Sequence, residues 1–103
     1  MPSYAVSFEI ASNSTYAKRY RSLVEQIQSA PGDSQWDETT SFALVETSES
    51  LSTFADRLYY STEVNARWDI LLVFNPNTGD AIARGPIKYP HTLAGHFRSF
   101  QKK

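Results

Sequence analysis

The chain has 103 residues and a net charge of −1, with 41% hydrophobic, 14% aromatic and 20% charged residues, which suits one packed domain and argues against disorder. It contains no cysteine, so disulfides, thiol nucleophiles and sulfur-ligated zinc are excluded together. Charge is unevenly spread: Arg84, Lys88, Arg98, Lys102 and Lys103 meet no acid in residues 81–103, whereas nine of the eleven acids lie in residues 32–80. A basic end of this kind can face phosphates, an acidic partner or the acidic middle of its own domain.

Tyr4, Val6, Phe8 and Ile10 alternate with Ala5, Ser7, Glu9 and Ala11, the period-two pattern of a strand with one face on a core. Ser12-Asn13-Ser14-Thr15 then offers oxygens to the free N–H groups of a helix start. Tyr16, Tyr20, Leu23, Val24 and Ile27 recur at helical spacing, which predicts a first helix to about Gln28 with Lys18, Arg21 and Glu25 on its other side. Ala30-Pro31-Gly32-Asp33 breaks it and marks a turn.

Residues Trp36 to Thr47 read as one strand, or two joined by a bulge, with Phe42 and Leu44 facing one way and Ala43 and Val45 the other. Ser48 and Glu49 suit a helix start, followed by Leu51, Phe54, Ala55 and Leu58 at offsets of three, four and seven. The unbroken apolar run Ile70 to Phe74 predicts a central strand covered on both faces. The turn formers Asn75-Pro76-Asn77-Thr78-Gly79 then predict a hairpin whose return strand is Asp80 to Arg84. Gly85, Pro86 and Pro90 keep the following stretch extended, and Leu93, Phe97 and Phe100 are spaced for a short amphipathic helix. The expectation is a single α+β domain, with residues 86–103 as a basic, aromatic C-terminal extension. The longest apolar run is far below the roughly 20 residues of a membrane span, and no charged leader precedes a long apolar stretch, so a soluble cytoplasmic protein is expected.

No phosphate-binding glycine loop, nucleophile elbow or paired-histidine metal motif is present. His91 and His96 are five apart and fall on different sides of a helix, which disfavours a shared metal. Glu9, near the end of the first strand, can hold a divalent cation or act as a base if a symmetry mate brings a second carboxylate close; as a lone residue it is a solvated polar-face side chain. Asp37 and Glu38 are adjacent, so a strand sends them to opposite faces and they cannot form one site. Lys18, Arg19 and Arg21 interleave with Tyr16 and Tyr20, a mixture that suits single-stranded nucleic acid, although the helical stripe assigns both tyrosines to the core.

The order of strand, helix, strand pair, helix, strand and return strand resembles the small CRISPR adaptation subunits, a Cas-two-like family of ferredoxin-like homodimers. That family carries an aspartate at the end of its first strand as metal ligand or catalytic residue; here the string is Phe8-Glu9-Ile10, with a longer glutamate. A nearer resemblance, to GhoS-type antitoxin endoribonucleases of the same fold, is carried by Tyr4-Ala5-Val6-Ser7-Phe8-Glu9, Arg21-Ser22-Leu23, Ser41-Phe42-Ala43-Leu44 and His96-Phe97-Arg98-Ser99-Phe100. The resemblance implies a ferredoxin-like antiparallel sheet with two main helices on one face and a short C-terminal helix. It also implies a homodimer that interacts with RNA, with Glu9 catalytic and Lys18, Arg19, Arg21, Arg98 and Lys102 on phosphates. No small-molecule cofactor is implied, and a divalent metal is left open. The competing expectation is a non-catalytic homodimeric interaction module. A small-molecule enzyme of the dimeric α/β-barrel kind is disfavoured because both histidines lie in the tail.

Overall fold

A computed structural model describes residues 1–29, 32 and 34–103. In chain order the elements are β1 (Ser3–Glu9), α1 (Tyr16–Gln28), β2 (Gln35–Trp36), β3 (Phe42–Glu46), α2 (Leu51–Tyr60), β4 (Ile70–Phe74), β5 (Asp80–Arg84), α3 (Pro90–Ala94) and β6 (Ser99–Lys102). One six-stranded sheet runs β2-β3-β1-β4-β5-β6. The expected turn at Ala30-Pro31-Gly32-Asp33 falls largely outside the described residues, since only Gly32 of the four is described.

Alternation along β1 sends Tyr4, Val6 and Phe8 to one face, where Leu23 and Ile27 of α1 and Phe54, Ala55 and Leu58 of α2 join them in one core cluster. Ala43 and Val45 oppose Val6 and Tyr4 on β3, and Leu71 and Val73 oppose Phe8 and Val6 on β4. These too belong to that cluster. The apolar spacing in both helices therefore reflects one shared surface. Ser50 caps α2, its Oγ accepting from the Thr53 N–H at 3.2 Å, two residues later than Ser48, where the sequence suggested the cap. Before α1, Asn13 Oδ1 accepts from the Thr15 N–H at 3.0 Å.

The second face has a different make-up. Across the ladders Trp36 lies opposite Leu44, Leu44 opposite Ala5, Ala5 opposite Phe74, Phe74 opposite Ala81 and Ala81 opposite Phe100. One apolar row thus crosses all six strands. This is why β4 is apolar at every position: each face of it meets apolar neighbours. Phe97, just after α3, packs on Phe74 at 5.2 Å and Phe100 at 6.2 Å between ring centroids, so its ring covers one half of the row. At the other half Trp36 and Leu44 are about two-fifths exposed, at 41% and 40%.

Two expectations are corrected. The sheet is mixed, because β6 pairs parallel to β5 while every other pairing is antiparallel. The amphipathic helix read through Leu93, Phe97 and Phe100 stops at Ala94, and Ser99–Lys102 is a strand. Offsets of three and four gave the helical pattern, but the open edge of β5 offers Phe100 and its neighbours a ladder. The Lys103 N–H extends it, donating to the Ala83 carbonyl at 2.8 Å.

Candidate nucleic-acid interface

Strand direction sorts the molecule into two ends. One end collects the finish of β1, the start of α1, the loop 61–69, the end of β5 and the end of β6; the hairpin 75–79 and the start of β6 lie at the other. The expected site residues divide between them.

Glu9 is exposed on the second face at the first end, opposite Ile70. Among the described residues no group of three histidines or acids could share a metal ion, so a single chain offers a divalent cation Glu9 without the companions such a site needs. Lys18 is exposed and pairs with Glu63 at 3.5 Å. Arg21 lines a shallow apolar groove on α1 with Tyr16, Tyr20 and Val24. The two rings there stack at 5.8 Å, and Tyr16 is 41% exposed, against the core position its spacing suggested. Lys102 is exposed at the end of β6.

Arg19 is placed quite differently from its neighbours. It is 3% exposed, with Nη1 on Asp69 Oδ1 at 3.4 Å and Nη2 donating at 2.7 Å to both the Ala11 carbonyl and Asn13 Oδ1. Its Nε reaches Thr15 Oγ1 at 3.4 Å. A buried guanidinium held this way ties α1 to the loop after β1 and to the residue before β4, and its described donors Nη1, Nη2 and Nε are engaged inside the protein. Arg98 lies at the opposite end from Lys102. Its Nη2 donates to both carboxylate oxygens of Asp80, at 2.8 and 3.0 Å, and its Nε donates to the Thr78 carbonyl. The Thr78 hydroxyl above all holds the Asp80 carboxyl below its ordinary range; desolvation opposes it, and the Arg98 hydrogen bond and charge add to the lowering.

Sequence reasoning overlooked the buried ions. Asp69 is fully buried and accepts from the Ala11 N–H at 2.8 Å and the Asn65 N–H at 3.0 Å as well as from Arg19. An acid directly before an unbroken apolar strand was the available signal, since a carboxylate there needs partners. Arg84 ends β5 at 6% exposure, donates to Asp56 Oδ1 at 2.8 Å, and lies 4.4 Å from the Tyr59 ring and 4.9 Å from the Tyr60 ring. No local pattern announced it. No helix among the described residues is long and apolar enough to cross a membrane. Comparison with family models, curated proteins and solved structures gave no match to this chain.

Proposed function

We propose that the chain is a ferredoxin-like, Cas-two-like cytoplasmic protein that works on RNA as a homodimer, in the manner of an antitoxin-type endoribonuclease. The observation that carries this is topological. Within the order β2-β3-β1-β4 every neighbour is antiparallel, and β1-α1-β2 interlocks with β3-α2-β4, the layout expected of that fold. The strings that carry the resemblance lie at residues 4–9 on β1, 21–23 within α1, 41–44 at the start of β3 and 96–100 leading into β6.

Arg21 and Lys102 are the exposed cations assigned to phosphate. Lys18 and Arg98 join them by exchange, because exposed ion pairs are worth little and a phosphate competes for them. Glu9 assists cleavage as a base. The test is binding of single-stranded RNA across a salt series, followed by cleavage with wild type and Glu9→Gln. Affinity should fall steeply with salt, and cleavage should drop for the variant. Salt-insensitive binding, or none, removes the RNA reading; equal cleavage by both proteins removes Glu9 from it.

The second reading, a non-catalytic homodimeric interaction module, is favoured by the apolar row and by the isolation of Glu9. It predicts a dimer without nuclease activity, and light scattering beside the cleavage assay separates the two.

A further inference from the structure

Around the corner where β4 begins and β5 ends, three aromatic side chains stand out from the surface: Tyr60 is 72% exposed, Tyr89 64% and Trp68 39%. Trp68 and Tyr89 each have an exposed cation beside them, while the cation at Tyr60 is the buried Arg84, which lies closer still to Tyr59 and is paired with Asp56. The Arg84 guanidinium carbon lies 4.9 Å from the Tyr60 centroid, that of Arg67 lies 5.7 Å from Trp68, and Lys88 Nζ lies 5.4 Å from Tyr89.

The chain path carries all three to the same end of the sheet. Gly85 packs so tightly on the backbone of Asp69 and Ile70 that a Cβ there would lie 2.1 Å from the Asp69 carbonyl oxygen. That contact sets Trp68 beside the end of β5, where Arg84 reaches Tyr60 and where the Ile87 N–H folds back onto the Gly85 carbonyl at 2.9 Å, just before Lys88 and Tyr89. Lys102, paired with Ala83, and Glu9, paired with Ile70, flank the corner on either side. Asp56, the nearest acid on α2, is occupied by Arg84 and Lys103.

Exposed rings with exposed cations beside them offer a stacking face and a phosphate partner in one place. Bases stack on such rings while phosphates pair with the cations between them, the pattern of single-strand recognition. We infer that this corner is a base-stacking surface for single-stranded RNA, with Trp68 and Tyr89 as its platforms and Arg67 and Lys88 on the phosphates. The inference rests on the RNA reading above and supplies what that reading lacks, a track that leads a strand past Glu9. An RNA duplex, whose bases are already stacked, gains nothing from the rings.

The experiment uses the full chain with Trp36→Phe, so that Trp68 is the only tryptophan, and a single-stranded RNA of about 12 nucleotides, within the usual span of such sites. Trp68 emission should be quenched on binding. Trp68→Leu or Tyr89→Ala should each raise Kd by about 5- to 100-fold, and Trp68→Tyr, which keeps a ring, should restore most of the affinity. Arg67→Gln and Lys88→Gln should each reduce the salt slope by about 0.7. If the RNA binds with unmoved Trp68 emission and both aromatic variants stay within about twofold of the parent, a range too small for a lost stacking platform, the corner is overturned and the RNA reading stands. If the RNA fails to bind even at low salt, both fall together.

Discussion

Asp69 accepts from two backbone N–H groups and from Arg19 in a place that water does not reach. Breaking such a pair from one side leaves a buried charge without compensation, so Arg19→Ala should cost about 3–5 kcal/mol, read from the urea midpoint. Lys18→Ala, which removes an exposed partner of Glu63, should cost less than about 1 kcal/mol. The two residues are adjacent and carry the same charge, and only burial separates them. Glu49 offers a pH test. Its oxygens accept from Arg57 Nε at 2.8 Å and Nη2 at 2.9 Å. The Arg57 hydrogen bonds hold its carboxyl below the ordinary range, with partial burial opposing and Thr47 helping. A depressed folded pKa contributes stability above the unfolded value, about 4.3, and that contribution is lost as pH falls through the folded pKa. Glu49→Gln should therefore lower stability at pH 7 by about 1 kcal/mol and flatten the acid limb, seen by comparing urea midpoints at neutral pH and near pH 3.

At the scale of elements, Gly85 and β6 carry the sharper expectations. Gly85 has φ of 111° and no room for a Cβ against the Asp69 carbonyl, so Gly85→Ala combines backbone strain with a backbone clash. A loss above about 3 kcal/mol is expected in thermal melts. β6 is anchored at its start by Arg98 on Asp80 and past its end by Lys103 on Asp56. Since the Asp80 carboxyl is held below its ordinary range, the first anchor persists above the unfolded value and loosens as pH falls through the folded one. Asp80→Asn should accelerate amide hydrogen exchange in residues 99–102 at neutral pH while leaving β1 protected, because edge strands open locally before the core does.

For the whole molecule, the half-row of Trp36 and Leu44 left open beside Ala5 is the surface a second copy would cover in the proposed homodimer. Apolar side chains that stay exposed on a sheet face favour association. Leu44→Lys should halve the mass seen by light scattering while leaving the thermal midpoint of the monomer little changed, since the residue is already two-fifths exposed. An unchanged mass would place the dimer contact elsewhere. Where the mass halves, RNA affinity should fall as well if both copies contribute to one track.

By itself the sequence determined the elements whose pattern is local. The alternation around Val6, the stripe through Leu23 and Ile27, the run Ile70–Phe74 and the turn before Gly79 all read directly as β1, α1, β4 and a hairpin, because side-chain period and turn chemistry act over a few residues. Tertiary structure decided the rest. Which of Lys18, Arg19 and Arg21 is buried depends on an aspartate some fifty residues away. Whether Phe100 belongs to a helix or a strand depends on the free edge of β5. The approach of Trp68 to the end of β5 depends on Gly85 lying against Asp69. Each of these is set by contacts between segments far apart in the chain, and no local spacing encodes them.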